Sequence, residues 1–303
     1  MSPAAQSPQQ SVWPVLSRPG IKRDGTTFQG DAYTGGQWVR FQRGLPRKIG
    51  GYQQISTEFS GPVRSCHLFS RAGQTYVFGG SGSSLEYVTI SSAGSVSGIA
   101  DRTPGGFSAS TDNTWQFDAM YNSAGSAVAL IAHGAPNLTD IDSTTQRPVY
   151  YGAIDSATAL SSTGQSVSGG CVVLPPYLFL YDSDGLLKWS DANTPATFSG
   201  GDSGSARVTA SKIVVGKRTR GGPTNSPAGL FWSLGALIRA SYVGGSAIFR
   251  FDEIGGSSIL SSSSVVEYRG RYFWPGVEGF LKYNGVIQDL PNDMNVNWFY
   301  DNL

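Results

Sequence analysis

The feature that most constrains this chain is a short aromatic or apolar segment that recurs along it, each time followed by a polar or glycine-containing turn. The distances between the first apolar residues of successive segments are 52, 49, 53 and 42 positions. Repeats on the order of 40–50 residues have the length of one four-stranded blade of a β-propeller. The sequence therefore predicts successive antiparallel hairpin units whose apolar faces cover one another. The segments are residues 75–78, 128–131, 177–180, 230–232 and 272–274.

The composition favours an all-β fold. The 303 residues include 40 glycines and 16 prolines, and only 14% are charged, which is typical of short strands joined by many turns. Aromatic residues make up 12% and must supply much of the core, because each ring buries roughly 150–250 Å². The predicted fold is a β-propeller-like array of antiparallel blades. Because the units resemble one another only weakly, three alternatives stay open: a β-sandwich pair or broad barrel, an incomplete array, and an array with an inserted β-domain.

Glycine pairs mark hairpins inside the units. Asp184-Gly185 and Asn284-Gly285 are favoured in two-residue turns, in which both central residues have positive φ. Gly244-Gly245 separates two further apolar runs, and residues 37–41 (QWVRF) alternate as in a strand. Residues 295–300 (NVNWFY) predict a last strand without a closing turn. If the units form a closed ring, an N-terminal strand or sequence outside this chain must close it.

The N-terminal part differs from the rest in composition and charge. Residues 1–20 are rich in proline and predict a flexible arm, whereas residues 21–303 predict the propeller-like domain. Residues 1–53 carry a net charge of +5 and the remainder carries −4. The basic residues are interpreted as an assembly or phosphate-facing segment, or alternatively as partners of acidic groups on neighbouring subunits or strands. They are Lys22, Arg23, Arg40, Arg43, Arg47 and Lys48.

A second basic cluster lies near the start of the last third of the chain. Lys217, Arg218 and Arg220 precede the pair Gly221-Gly222 and predict an exposed loop. Basic residues in such a loop can contact phosphate groups. We therefore assign these three residues as a candidate DNA-channel loop, with a solvated loop as the alternative.

The residue types that usually carry catalysis form no convincing site. Cys66 and Cys171 are 105 positions apart and predict two buried free thiols. Cys66 and His67 are adjacent in a strand, so their side chains point to opposite faces and cannot share a proton. We expect no catalytic residue, no metal site and no cofactor, and we predict that the protein is not an enzyme. The local acidic pairs, interpreted as solvated turn residues, are 140/142, 182/184 and 252/253.

The sequence contains no targeting signal of the common kinds. No stretch reaches the roughly 18–20 consecutive apolar residues that a membrane helix needs. Residues 1–10 lack the basic and then apolar regions of a secretory signal peptide. We therefore expect no membrane-spanning segment and synthesis in a reducing cytoplasm.

The N-terminal passage resembles a known family. Residues 36–52 read GQWVRFQRGLPRKIGGY, in which a tryptophan and an arginine precede a Gly-x-Pro-x-Lys-x-Gly-Gly phrase. This passage is similar to the opening of the tail hub, or tail nozzle, proteins of short-tailed bacteriophages, the packaged-DNA stabilisation family. Residues 187–191 (LKWSD) with Pro195, and residues 271–285, resemble later phrases of that family. The matching positions of the first phrase are Gly44, Pro46, Lys48, Gly50 and Gly51.

The resemblance implies a virion structural protein of the phage tail, made in the host cytoplasm. Family members are β-propeller subunits that form a ring, commonly a hexamer, below the portal and adaptor. The implied partners are other copies of the chain, the adaptor or head-to-tail connector, tail fibre or tailspike proteins, and packaged double-stranded DNA bound without sequence preference. Such a ring would extend the DNA channel, retain the genome and conduct it at ejection.

Two other functions stand as alternatives. One is a carbohydrate-binding host-recognition β-module of a tail tip, in which exposed tryptophan and tyrosine side chains stack on sugars. The other is a propeller glycosidase, for which the sequence offers no convincing pair of carboxylates. The tail ring predicts ring oligomers without glycan binding, whereas the recognition module predicts glycan binding.

Overall fold

The computed structural model describes residues 18–24, 32–55, 58–103, 109, 114–123, 125, 127–134, 149–153, 156–159, 170–182, 184–219, 227–291 and 295–303, with the backbone alone at 114, 127–134, 149–153 and 156–159. The chain divides into two compact units, one of Met1–Gln53 with Pro291–Leu303 and one of Gln54–Leu290. The predicted boundary at residue 20 falls inside the first unit. Residues 1–17 of the predicted arm lie outside the described residues.

The first unit contains four short strands and one helix. β1 (Arg18–Ile21) pairs in parallel with β2 (Ala32–Tyr33), and β3 (Val39–Gln42) pairs antiparallel with β4 (Leu45–Lys48). Within the described residues, these four strands pair only among themselves. The predicted closure of a ring by an N-terminal strand is therefore not seen in this part of the chain. The helix is α1 (Val296–Asp301).

The alternating residues 37–41 predict a strand, and the hairpin of β3 and β4 confirms it. The observed strand starts later than residue 37. The strand begins at Val39 because Trp38 has a positive φ of 57°, which interrupts an extended backbone. Arg43 and Gly44, with φ of 53° and 81°, form the two-residue turn. Two successive positive φ values give the turn whose twist matches that of a hairpin.

The strand predicted at residues 295–300 is wrong, because these residues form α1 instead. The aromatic run Trp298-Phe299-Tyr300 favours a strand by local propensity. The carboxylate of Asp24, however, accepts hydrogen bonds from the backbone N–H groups of Asn297 and Trp298, at 3.2 and 2.8 Å. These are first-turn donors that a helix leaves without an internal partner. A residue far away in sequence therefore supplies the cap that permits the helix.

The second unit is built from four-stranded antiparallel sheets in which the strands follow one another in chain order. The described residues form five such sheets, here numbered 1 to 5. Sheet 1 contains β5 (Ser65–Arg71), β6 (Gln74–Gly80), β7 (Leu85–Ser91) and β8 (Ala100–Asp101); sheet 2 contains β9 (Thr114–Tyr121), β10 (Ala127–Gly134), β11 (Val149–Ala153) and β12 (Ser156–Ala159); sheet 3 contains β13 (Gly170–Leu174), β14 (Tyr177–Tyr181), β15 (Leu186–Trp189) and β16 (Gly204–Arg207); sheet 4 contains β17 (Ile213–Arg218), β18 (Ala228–Ser233), β19 (Ala236–Gly244) and β20 (Ile248–Gly256); sheet 5 contains β21 (Val266–Tyr268), β22 (Arg271–Pro275), β23 (Phe280–Tyr283) and β24 (Ile287–Asp289).

The five segments that recur in the sequence occupy equivalent positions in these sheets. Each of them lies in the second strand of its sheet, in β6, β10, β14, β18 and β22 respectively. The recurring unit of the sequence is therefore one four-stranded meander. This confirms the predicted all-β fold of antiparallel sheets that resemble propeller blades.

The core lies between successive sheets. Trp232 of sheet 4 meets Trp274 of sheet 5 edge to face, with ring centroids 5.4 Å apart. Phe179 of sheet 3 packs in the same manner on Phe249 of sheet 4, at 4.8 Å. Trp115 of β9 joins the aromatic cluster of sheet 1. Each sheet therefore covers an apolar face of its neighbour, as the recurrence predicts.

The first strands of the sheets lie side by side. β5 neighbours β9, β9 neighbours β13, and β13 neighbours β17. Gly216 in β17 permits part of this approach, because a Cβ at this position would lie 2.7 Å from Cγ1 of Val172 in β13. A cavity among these four strands is lined by His67, Asp118 and Lys217.

The predicted hairpins are confirmed, but two of their turns differ from the expected geometry. Gly244 and Gly245 both have positive φ. At Asp184-Gly185 and Asn284-Gly285, only the glycine of each pair has positive φ within the described residues. The first of these turns is a longer loop, because Asp182 accepts hydrogen bonds from the backbone N–H groups of Asp184 and Leu186, at 2.8 and 2.7 Å. The side chain replaces the tight backbone turn.

Candidate functional site

The hairpin of residues 39–48, here called the basic hairpin, concentrates positive charge on the surface of the first unit. Arg40 lies directly opposite Arg47 in the strand register, Lys48 ends β4, and Arg43 occupies the turn. All four side chains are exposed. Among the described residues, none of them forms an ion pair. Like charges directly opposite in an antiparallel pair are destabilising, so this arrangement costs stability in the isolated chain.

Two aromatic side chains flank the basic hairpin. Trp38 is 63% exposed and Tyr52 is 78% exposed, and their ring centroids lie 5.7 Å apart. Large exposed aromatic side chains are common at the centres of protein interfaces and on sugar-binding surfaces. The basic hairpin and this aromatic pair therefore form a surface with both charge and apolar area.

The other two basic candidates of the first unit, Lys22 and Arg23, lie outside the basic hairpin, and contacts within the first unit involve the Arg23 side chain and the Lys22 backbone. The Arg23 guanidinium lies 4.8 Å from the centroid of the Trp298 ring, and the Arg23 backbone N–H donates to Oδ1 of Asn295. The backbone N–H of Lys22 donates to the carbonyl of Tyr33 at 2.7 Å. Arg23 thus contributes to holding α1, and a role of Lys22 and Arg23 in a binding surface stays a prediction.

A cavity of about 490 Å³, here called the central cavity, lies among the first strands of sheets 1 to 4. A second cavity of about 490 Å³ has His67, Asp118 and Arg218 in common with it, so the two adjoin at these residues. Trp115, Phe117, Val172 and Val215 supply apolar walls. The polar side chains that line the central cavity include Arg64, His67, Gln116, Asp118, Lys217 and Arg218.

The prediction of a loop at Lys217 and Arg218 is wrong, because both residues belong to the strand β17. Arg220 lies outside the described residues. Lys217 is half-buried, and its burial lowers the pKa of the ammonium group, an effect that the charge of Asp118 opposes. The local sequence gives no sign of this placement, since it depends on three other sheets. Contact of these residues with DNA stays a prediction.

Asp118 is the carboxylate of the central cavity. Its Oδ2 accepts a hydrogen bond from the backbone N–H of Val173 at 2.7 Å, and its Oδ1 accepts one from Ala119 at 2.8 Å. Burial raises the pKa of Asp118, while these two hydrogen bonds and the positive charges of Arg218 and Lys217 lower it in part. The sequence analysis missed Asp118, because an isolated aspartate inside an aromatic strand has no recognisable motif.

His67 also faces this region. Its ring stacks on Phe117 with centroids 5.5 Å apart, and its Nε2 atom is buried without a hydrogen-bond partner among the described residues. Burial lowers the pKa of this imidazole. The adjacent Cys66 is exposed, so the prediction of two buried thiols is wrong for it and confirmed for Cys171. Burial, with the charge of Asp118, raises the pKa of the Cys171 thiol.

The acidic pairs fit the prediction of solvated turn residues only in part: Asp184 is exposed in its turn, whereas others are not solvated turn residues. Asp182 is only 2% exposed, and burial raises its pKa. Asp252 lies in β20, where Arg250 approaches it to 2.7 Å and Arg239 to 3.8 Å. The pair at 140/142 lies outside the described residues. Across the residues that the structure describes, no three acidic, cysteine or histidine side chains are grouped closely enough to hold a metal ion.

None of the helices in the described ranges combines the length and the hydropathy of a transmembrane segment.

Comparison with known proteins shows similarity in structure but no match in sequence. No family model and no curated protein matches the sequence. A protein of Bacteroides fragilis, named as a candidate 6-phosphogluconolactonase, is similar in structure with a TM-score of 0.43 and 10% identity, over 85% of this chain and 76% of that chain. A similarly named protein of Bacteroides uniformis gives 0.38 and 11%, over 83% and 75%. The WD40 domain of Toxoplasma gondii coronin gives 0.32 and 11%, over 78% and 72%.

Proposed function

We propose that this chain is a structural protein of a short-tailed phage tail, which assembles with copies of itself into a ring that continues the DNA channel below the adaptor. In this proposal the sheets of the second unit supply a rigid body. The exposed basic hairpin contacts an acidic surface of a neighbouring subunit or of the adaptor.

The observation that carries the proposal is the structure of the passage that resembles the tail hub family. That passage folds into an exposed hairpin in which Arg40 faces Arg47 with no acidic partner among the described residues. A like-charge pair in an isolated hairpin is unfavourable. An acidic or phosphate-bearing partner would turn the same arrangement into a favourable one, because opposite charges across an interface favour association.

The near-neutral charge of the whole chain supports a conduit more than a tight DNA-binding protein. The formal net charge is +1 at pH 7. Each phosphate contact made by lysine or arginine adds to DNA affinity in a salt-dependent way. A channel that must release a genome needs few such contacts along its length.

The test is imaging of the purified full chain by negative-stain electron microscopy, with size-exclusion chromatography and light scattering to give the mass. Ring-shaped oligomers are expected for the wild type. The Arg40→Glu/Arg47→Glu variant keeps a like-charge pair within the hairpin while reversing its sign, so we expect it to fold normally and to lose assembly. Arg269→Glu/Arg271→Glu, a matched reversal of two exposed arginines in the second unit, should still assemble.

Absence of rings from the wild type, alone or mixed with an adaptor, would contradict the ring proposal. Normal assembly of Arg40→Glu/Arg47→Glu would remove the basic hairpin from the interface.

A carbohydrate-binding module of a tail tip is the second candidate function. The exposed Trp38 and Tyr52 rings support it, since adjacent aromatic faces can stack on sugar rings. Glycan-array binding by the wild type that is lost in Trp38→Ala, without ring formation, would favour this function over the first.

A further inference from the structure

The charges that line the central cavity do not cancel. Arg64, Lys217 and Arg218 contribute three positive charges, and Asp118 contributes one negative charge. Burial lowers the pKa of His67, so its imidazole adds no positive charge at neutral pH. Together, these lining side chains therefore carry a net charge of +2.

Asp118 does not neutralise the cations by direct contact. Each of its oxygens accepts a backbone hydrogen bond, from Val173 and from Ala119. No ion pair within 4.0 Å joins it to Lys217 or Arg218 in the described part of the chain. Backbone donors hold the carboxylate, and the cationic groups keep their donor capacity.

Two further polar groups line the cavity. Lys217 is half-buried, and its ammonium group forms no hydrogen bond to another described residue. The Nε2 atom of His67 is buried, likewise without a partner among the described residues. Leaving a buried donor without an acceptor costs free energy, and a ligand that brings acceptor oxygens removes this cost. Both groups line the same space as Arg218.

The size and walls of the cavity fit a small organic ligand. Its volume of about 490 Å³ falls in the range of small-molecule sites, and Phe117, Val172 and Val215 provide apolar area beside the polar groups. A small molecule or ion therefore suits this space.

We propose that the central cavity binds a small dianion of the phosphate class, either inorganic phosphate or a small phosphate monoester. Lys217 contacts the phosphate oxygens, and Arg218, its neighbour in β17, attracts the anion through its charge. His67 donates a hydrogen bond from Nε2 in the tautomer that carries the proton there. Any organic part of the ligand lies against Phe117 and Val215. The site lies in the second unit and does not depend on the proposed tail function.

The first experiment is isothermal titration calorimetry of the full chain with inorganic phosphate, at constant ionic strength maintained with chloride. We expect saturable binding with a dissociation constant below about 1 mM, competed by sulfate and not by chloride. A parallel titration with a phosphate monoester separates the two sources: tighter binding of the monoester indicates that the apolar wall is used. Lack of saturable binding of either ligand in the millimolar range would overturn the proposal.

Substitutions locate the site. Lys217→Gln should weaken phosphate binding at least about tenfold, because it removes a charged hydrogen bond. Lys212→Gln removes the same charge from a half-buried lysine just before β17 that does not line the cavity, and it should bind as the wild type does. Equal weakening in both variants would indicate a general charge effect and would contradict the site.

A second variant tests the site if the first one does not fold. If Lys217→Gln unfolds, Arg218→Gln replaces it, because Arg218 is exposed at the end of β17 and contributes little to the core. It should also weaken phosphate binding at least about tenfold, with an unchanged melting temperature. Wild-type affinity in Arg218→Gln would overturn the assignment.

Discussion

The carboxylate of Asp24 caps the helix that contains Trp298, accepting a hydrogen bond of 2.8 Å from the Trp298 backbone N–H across 274 positions of sequence. The residue at the start of this helix, Asn295, has a left-handed backbone with φ of 58° and provides no side-chain cap of its own. The Arg23 guanidinium over the Trp298 ring strengthens the same contact. Residues 21–24 and the C-terminal helix are therefore held together by the cap from Asp24, the contact of Arg23 with the Trp298 ring, and the hydrogen bonds of the Asn295 side chain to the backbone of Arg23 and Ile21.

Removing this cap should destabilise the first unit selectively. Asp24→Ala is expected to lower the free energy of local unfolding of α1 by about 0.5–2 kcal/mol, the usual effect of losing a helix cap. Hydrogen exchange measured by mass spectrometry over residues 296–301 gives this quantity. Asp301→Ala is the matched control, because an acid in the last turn opposes the helix dipole and its loss should leave α1 unchanged or slightly more stable. Unchanged exchange in Asp24→Ala would contradict the capping role.

A single charge reversal in the basic hairpin should stabilise the isolated chain while impairing assembly. Arg47→Glu converts the pair opposite Arg40 from like to opposite charge, a gain on the order of 0.2–1 kcal/mol. Denaturant unfolding of the monomer at low and high salt measures it, and the gain should shrink at high salt because both side chains are exposed. The double variant Arg40→Glu/Arg47→Glu should show no such gain. A gain of equal size in the double variant would refute the pairwise explanation.

Adding one methyl group between the first strands of sheets 3 and 4 should destabilise the second unit. The Cβ of Gly216→Ala would lie 2.7 Å from Cγ1 of Val172 and 2.8 Å from Cε1 of Phe231. Overpacking of this kind costs typically about 1–3 kcal/mol in the free energy of unfolding. Gly98→Ala is the control, because no atom lies within 4 Å of its new methyl group and its stability should stay constant or rise slightly. Equal stability of both variants would show that the strands can separate without cost.

The stability of the second unit should fall as pH is lowered through the titration range of His67. Burial lowers the pKa of His67 below its ordinary value of 6.5, so between the two values the unfolded chain binds more protons than the folded one. The stabilisation is complete above pH 6.5 and is lost as pH falls toward the folded-state pKa. Denaturant unfolding from pH 7.5 to 5 should therefore show a loss of stability in the wild type, relative to His67→Gln, that grows as pH falls. A constant difference between wild type and variant across this range would contradict the assignment, since Asp118 and the other acids titrate in both.

The fold could be predicted from the sequence to a large extent, because strand pairing within a meander is local. The apolar segments that recur in the sequence fall in the second strands of the sheets, and the turns that follow β6, β14, β18 and β22 are short. The helix α1 could not be predicted, since its cap comes from Asp24. The exposure of Cys66 could not be predicted either, because an alternating strand pattern does not tell which face a neighbouring sheet covers.

The sequence by itself determined the repeating sheet unit and the charge of the basic hairpin, because both depend on residues within about one unit of each other. Only the tertiary structure decided that Asp118, His67 and Lys217 line one cavity. These residues lie on the first strands of three different sheets, and the side-by-side packing of those strands brings them together. Burial then shifts their pKa values, since desolvation depends on everything that surrounds a group and not on its position in the chain.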